Sequence, residues 1–258
     1  MKETPVLAAS GVTCLYGAHT GCADISLEVF RGEILALVGE SGSGKTTVLK
    51  AVSGQLRPSA GRVTYTDGRG RELDVHSLPE GSRRLLLRTE LGFVHQNPRD
   101  GLNMAVSAGA NIADRLLSGG ERSYGRARSE ASGWLDRVEI ARDRLDDRPG
   151  LYSGGMLQRL QIARNLVTDP RLVFLDEPTG GLDASVQARL LDLIRELAAR
   201  LRLAAVLVTH DLAVARLLSQ RIMVMKEGRV VESGLTDQVL DDPHEPYTQL
   251  LVSSILDA

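Results

Sequence analysis

Two spacings of apolar residues alternate along this chain. Residues 33–38 (E-I-L-A-L-V), 172–175 and 204–209 are short, almost unbroken apolar runs. Such runs fit strands buried on both faces of a parallel sheet. A fourth short strand is predicted over 91–95. Elsewhere the period is two: Ile25, Leu27 and Val29 alternate with Ser26 and Glu28 after a strand-like stretch over 6–16. Residues 61–65 and 73–75 flank an Asp67-Gly68 turn, and 222–225 and 230–233 flank Glu227-Gly228, so two hairpins are expected. Helical spacing appears at Val186, Leu190, Ile194 and Leu197, predicting a helix over about 185–200. It appears again at Leu160, Ala163, Leu166 and Val167, read as an amphipathic helix. The stretch 104–147 is rich in Arg, Ala and Leu and helical in spacing, with a break at Gly119-Gly120. It reads as a helical insert with a linker near 118–125 and basic residues on a solvated face. Residues 243–247 read as a loop, and 248–255 as a short amphipathic helix. The class is α/β.

One stretch carries chemistry by itself. Gly39, Glu40, Ser41, Gly42, Ser43, Gly44, Lys45, Thr46 and Thr47 fit G-x-x-x-x-G-K-[ST]. Glycines let backbone N–H groups close around an anion. Lys45 is a cation for the terminal phosphates, and Thr46 a hydroxyl for Mg²⁺. The apolar run before the loop and the helix expected after it supply the setting, with the helix's positive end toward the anion. The loop therefore predicts a bound nucleoside triphosphate.

Other candidates sit where predicted strands end. Gln96 is either a polar terminus or a side chain that reaches Mg²⁺ and its water. Asp176 and Glu177 close an apolar strand; one acid there can hold Mg²⁺ and the next can polarise an attacking water. His210 either caps a loop or bonds the γ-phosphate. Tyr16 is either an edge aromatic or a platform for a nucleobase. Ser153, Gly154, Gly155 and Met156 open a helix, with Ser153 as a natural N-cap and exposed N–H groups that suit an anion. A similar run, Leu117-Ser118-Gly119-Gly120-Glu121, is followed by linker chemistry and is set aside.

At 258 residues the chain has ample core for one large domain or two small ones. A net charge of −2 and 3% aromatics disfavour nucleic acid as a partner. Cys14 and Cys22 have no metal-ligand spacing and read as reduced thiols. No apolar run approaches the roughly 18 residues of a membrane span, and the N-terminus lacks a secretory core. The expectation is a cytoplasmic protein with no direct membrane insertion.

In their order these motifs resemble the ATP-binding cassette (ABC) ATPase family over roughly residues 6–256. The resemblance implies a nucleotide-binding domain with a RecA-like P-loop core, an antiparallel β subdomain and a helical subdomain. It implies one domain over 1–258, with β subdomain and core at about 1–98 and 160–258 and the helical subdomain at about 99–159. By that resemblance Tyr16 stacks on adenine, residues 39–47 form the Walker A loop, Gln96 is the Q-loop glutamine and Asp176 the Walker B aspartate. Glu177 is the general base, Asp183 the D-loop aspartate, and His210 the switch histidine. Residues 153–156 are the signature motif, which covers the γ-phosphate held by a partner subunit. ATP and Mg²⁺ are the implied ligands, and a head-to-tail homodimer the implied active form. Tyr152 and Met156 replace the usual Leu and Gln of the signature, and Gly180-Gly181 the usual Ser-Ala before Asp183.

Longer runs resemble a narrower family. They include Leu87-Arg88-Thr89-Glu90, Val94-His95-Gln96, Asp100-Gly101-Leu102, Val106-Ser107-Ala108-Gly109, and residues 160–168, 178–191 and 230–254. These are similar to the K-subunit family of bacterial phosphonate carbon–phosphorus lyase systems. That likeness implies an ATPase dimer docked on the soluble lyase core complex, where a second, related ABC subunit can join. By analogy the docking face lies near residues 96–145. Ser-Gly-Gly-Met and the Pro246-Tyr247-Thr248 tail also occur in peptide and nickel importers, which keeps an importer ATPase as the alternative. A non-catalytic scaffold is the third reading.

Overall fold

The computed structural model describes residues 4–17 and 19–256. Strands β1 (Leu7–Tyr16), β2 (His19–Val29), β4 (Ala60–Thr66) and β5 (Glu72–Asp74) form an antiparallel sheet in the order β2-β1-β4-β5. Ile25, Leu27 and Val29 are buried while Ser26 and Glu28 face solvent, as the alternation predicts. A second sheet has six strands: β3 (Ile34–Val38), β6 (Leu91–Val94), β7 (Leu172–Asp176), β8 (Ala204–Val208), β9 (Arg221–Lys226) and β10 (Arg229–Leu235). Its order is β10-β9-β3-β8-β7-β6, parallel throughout except for the β9–β10 hairpin. Every residue of β3, β7 and β8 is buried, which is why these segments carry unbroken apolar runs.

Helix α1 (Lys45–Val52) lies between the sheets and adds Val48, Leu49, Ala51 and Val52 to the core they share. A second core lies on the other face of the six-stranded sheet. There α3 (Pro98–Gly101), α4 (Ala108–Ser118), α5 (Tyr124–Arg137) and α6 (Gly154–Leu166) follow one another, after α2 (Glu80–Thr89), whose Leu86 belongs to the first core. Helices α7 (Ala184–Leu201), α8 (Leu212–Leu218), α9 (Thr236–Asp241) and α10 (Pro246–Leu256) complete the chain. Serine or aspartate side chains cap α4, α5, α6, α7 and α8 at Ser107, Ser123, Ser153, Asp183 and Asp211. Each such cap contributes about 1 kcal/mol. The run 117–121 straddles the end of α4, with Gly119 as its C-cap, so it opens no helix.

Two expectations fail. The basic residues of the insert do not all face water: Arg115 is buried and donates to the carbonyls of Leu87 (3.4 Å) and Leu91 (3.0 Å). Those carbonyls lie in the last turn of α2 and at the start of β6, and the guanidinium bonds both. Helix α6 is not amphipathic either; Gln158, Gln161 and Asn165 are as buried as Leu160 and Ala163. Their amides are all hydrogen-bonded, which lets polar groups stand in the interior.

The parallel register decides where the chemistry goes. Val94 pairs with Leu175, Asp176 with Val208, and Leu37 with Val208. Strands β3, β6, β7 and β8 therefore end at nearly one level. The segments leaving them, at residues 39, 95, 177 and 209, emerge on one side of the sheet. Ligands of open parallel sheets bind at that carboxyl end.

Candidate functional site

A cleft of about 290 Å³ opens there, lined by Thr20, Gly21, Ser41, Gly42, Gly44, Lys45, Thr46, Thr47, Gln96 and Glu177. Gly44 precedes α1 with φ 99° and packs against β2; a Cβ on it would stand 2.3 Å from the Gly21 carbonyl oxygen. Only glycine fits this backbone and this gap. No side chain caps α1, so its first N–H groups face the cleft as free donors.

Lys45 is 5% exposed. Its Nζ donates to the carbonyls of Gly39 (2.7 Å) and Glu40 (2.8 Å) and lies 3.5 Å from Ser43 Oγ. The ammonium thus holds the loop's own backbone open. Burial pushes its pKa down, and the carboxylates of Glu177, Asp176 and Glu40 oppose that shift.

Thr46 Oγ1 donates to Asp176 Oδ1 at 3.1 Å, joining the loop to the end of β7. Desolvation raises the Asp176 pKa, opposed chiefly by the Thr46 hydrogen bond. A buried carboxylate bonded to a hydroxyl, with Gln96 lining the same cleft as that hydroxyl, offers hard oxygen donors. They suit Mg²⁺, which takes one or two carboxylates and completes its shell with phosphate and water. The residue after Asp176 is held in an unusual backbone: Glu177 has φ 44°, with its N–H on the Val208 carbonyl (2.9 Å). Left-handed backbone at a non-glycine residue costs about 1–3 kcal/mol and gathers at functional sites. Its consequence is the direction of the side chain, whose Oε2 lies 2.6 Å from His210 Nδ1.

Tyr16 is half exposed, and its ring lies over Gly21, where a Cβ would come 2.6 Å from Cε2. The ring is thus set beside the cleft. Ser153, Gly154, Gly155, Met156 and Asp183 do not line it. Ser153 Oγ accepts from the Met156 N–H at 3.3 Å and caps α6. Gly155 abuts α7, where a Cβ would meet Val186 Cγ1 at 2.4 Å. Asp183 accepts from the Val186 N–H (3.0 Å) and the Ser185 hydroxyl (2.8 Å), and these bonds hold its carboxyl below the usual range.

Three residues of the site escape a reading of the sequence. Thr20 and Gly21 arrive from β2. Tyr247 arrives from the tail, where its Oη accepts the Glu40 N–H at 3.1 Å and its ring lies under Lys226 Nζ. The Pro-Tyr-Thr motif was the only signal for it. Tyr247→Phe removes that acceptor and leaves a loop N–H unpaired, at a cost of about 1 kcal/mol. Titration calorimetry with a non-hydrolysable ATP analogue should show roughly fivefold weaker binding, with a melting temperature lower by no more than about 4 °C. Unchanged affinity would show that the tail does not brace the loop.

The chain is similar to known proteins over most of its length. The family profile described as ABC transporter matches residues 22–180. The chain is 59% identical over 252 residues to the phosphonates utilization ATP-binding protein PhnK of Escherichia coli, covering 98% of each. It is 36% identical over 230 residues to the dipeptide transport ATP-binding protein DppF of the same organism, covering 89% of this chain and 67% of that one. Its fold matches the dimeric post-hydrolysis state of the ATP-binding cassette MJ0796 bound to ADP and Pi, with TM-score 0.79 and 28% identity. That match covers 89% of this chain and 98% of the other.

Proposed function

Since this chain belongs to the ABC transporter family of ATP-binding ATPases, we propose that it hydrolyses ATP as a head-to-tail homodimer serving phosphonate degradation. The likeness to PhnK over nearly the full length carries the second half of that statement. The adenine stacks on Tyr16. The phosphates take the N–H groups of residues 42–47 and the ammonium of Lys45, released from its carbonyls. Thr46, Gln96 and Asp176 would hold Mg²⁺, which would supply charge neutralisation for the phosphates. Glu177 takes a proton from a water whose oxygen attacks the γ-phosphorus. The bond to the bridging oxygen breaks, and ADP and phosphate result. His210, 2.6 Å from Glu177, orients that carboxylate and bonds the γ-phosphate.

Ser153 supports a composite site. It is exposed at the start of α6 and outside its own chain's cleft. A second copy turned head to tail would bring these N–H groups and this hydroxyl onto the open side of the first copy's phosphates. Asp183, already committed to capping α7, would then hold the turn that meets the partner. Closing and opening of this dimer drives its load.

The load we assign is the soluble carbon–phosphorus lyase core complex, with room for a second related ABC subunit. The docking face is the helical insert and Q-loop side, near residues 96–145. A cytoplasmic location follows from that partner. Among the described residues no helix is long and apolar enough to cross a membrane. Relatedness to DppF favours the second reading, an importer ATPase. Pull-down of the purified core by tagged chain separates the two. Nucleotide-dependent capture of the core is expected. Failure to capture it with and without ATP, alongside binding to a membrane permease, would favour the importer.

A further inference from the structure

Among the described residues, strand β6 is the edge of the six-stranded sheet and has a strand neighbour on one side only, β7. An edge leaves N–H and C=O groups unpaired. Here helix α6 pairs them with side chains. Asn165 Oδ1 accepts the Phe93 N–H, and Asn165 Nδ2 donates to the Phe93 carbonyl, each at 3.0 Å. Two residues on, Gln161 Oε1 accepts the His95 N–H at 2.6 Å and Gln161 Nε2 donates to the His95 carbonyl at 3.1 Å. Gln158 Nε2 adds a second donor to that carbonyl at 3.2 Å. The spacing works because four helical residues rise about 6 Å and two strand residues about 6.6 Å. Two amides thus take the place of a missing strand, running antiparallel to β6.

This ladder joins two parts of the chemistry. Its last rung is His95, whose neighbour Gln96 lines the nucleotide cleft. Its helix begins at Ser153, two turns before Gln161. All three amide side chains are at least 98% buried. The Gln161 amide is also wedged by the chain after Gln96, since a Cβ on Gly101 would lie 2.2 Å from Gln161 Oε1. The segment carrying Gln96 is therefore pegged to the helix carrying Ser153 by bonds that water does not reach.

We propose that Gln161, seated against Gly101, is a positioning residue that makes Gln96 and the Ser153 end of α6 move as one body. It rests on the composite-site reading above. Gln96 answers to the phosphates bound by its own chain, and Ser153 to those bound by the partner. A rigid link between them makes each ATP set the other site's closure. Asn165 holds the same edge a turn farther from the site and secures the strand without setting Gln96.

The test is steady-state hydrolysis of Mg²⁺-ATP by the full-length protein, with melting temperatures alongside. Wild type should be cooperative, with a Hill coefficient between 1 and about 2, the number of sites. Gln161→Leu should bring it to about 1 and lower kcat roughly tenfold, with KM changed less than about twofold. Asn165→Leu should lose comparable melting temperature yet keep the cooperativity. Gly101→Ala displaces the amide without deleting it; it should repeat the kinetic loss and decides the matter if Gln161→Leu does not fold. Wild-type cooperativity in both Gln161→Leu and Gly101→Ala would overturn the proposal, as would equal loss in Asn165→Leu. A wild type that is monomeric with ATP and hyperbolic in rate would overturn the composite site and this link together.

Discussion

Glu177→Gln is expected to slow ATP turnover by about 10²- to 10⁴-fold while ATP still binds, the range for losing a positioned general base. The amide keeps the shape and one acceptor, so contact with His210 survives. What it lacks is a carboxylate able to accept the proton of an attacking water. The backbone of Glu177 is left-handed and pinned to Val208, so its side chain has little freedom to be replaced by a neighbour. Single-turnover release of phosphate measures the effect. Turnover like that of wild type would place the base elsewhere.

Lys45→Ala is expected to weaken ATP binding by about 1.5–3 kcal/mol, the range for a charged hydrogen bond. That is roughly 10- to 150-fold in Kd. The ammonium is nine-tenths buried before ATP arrives and already bonds the Gly39 and Glu40 carbonyls. Its removal thus also unseats the loop that the N–H donors belong to. Wild type should gain melting temperature on adding ATP and Mg²⁺, because the ligand binds the folded chain. The alanine variant should lose most of that gain. Equal gains in both would show that the lysine does not meet the phosphates.

Much of this arrangement was legible because the physics constrains residue type locally. A phosphate loop needs glycine where backbone crowds backbone, as at Gly44. Strands buried on both faces show as unbroken apolar runs, so their ends at Gln96, Asp176 and His210 could be placed. The ABC fold follows from their order, and the structural relatives bear it out. What stayed hidden depends on contacts between distant segments. Tyr247 reaches Glu40 across 207 residues, and the Pro-Tyr-Thr motif that marks it says nothing of that contact. Gln158, Gln161 and Asn165 look like the wet side of a helix because pattern reading assigns polar residues to water. An unpaired strand edge reverses that assignment. Arg115 misleads for the same reason, since two backbone carbonyls replace its water.

The central claim is that the cleft at the phosphate loop is half a site, completed by Ser153 of a second copy. Light scattering of the Glu177→Gln protein, without nucleotide and with saturating ATP and Mg²⁺, tests it most directly. Blocking hydrolysis leaves the closed form no exit, so the mass should double with ATP. A second substitution, Ser153→Arg, should keep the protein at single-chain mass. A Glu177→Gln chain that binds ATP and remains a monomer, or a dimer indifferent to both ATP and Ser153, would contradict the account.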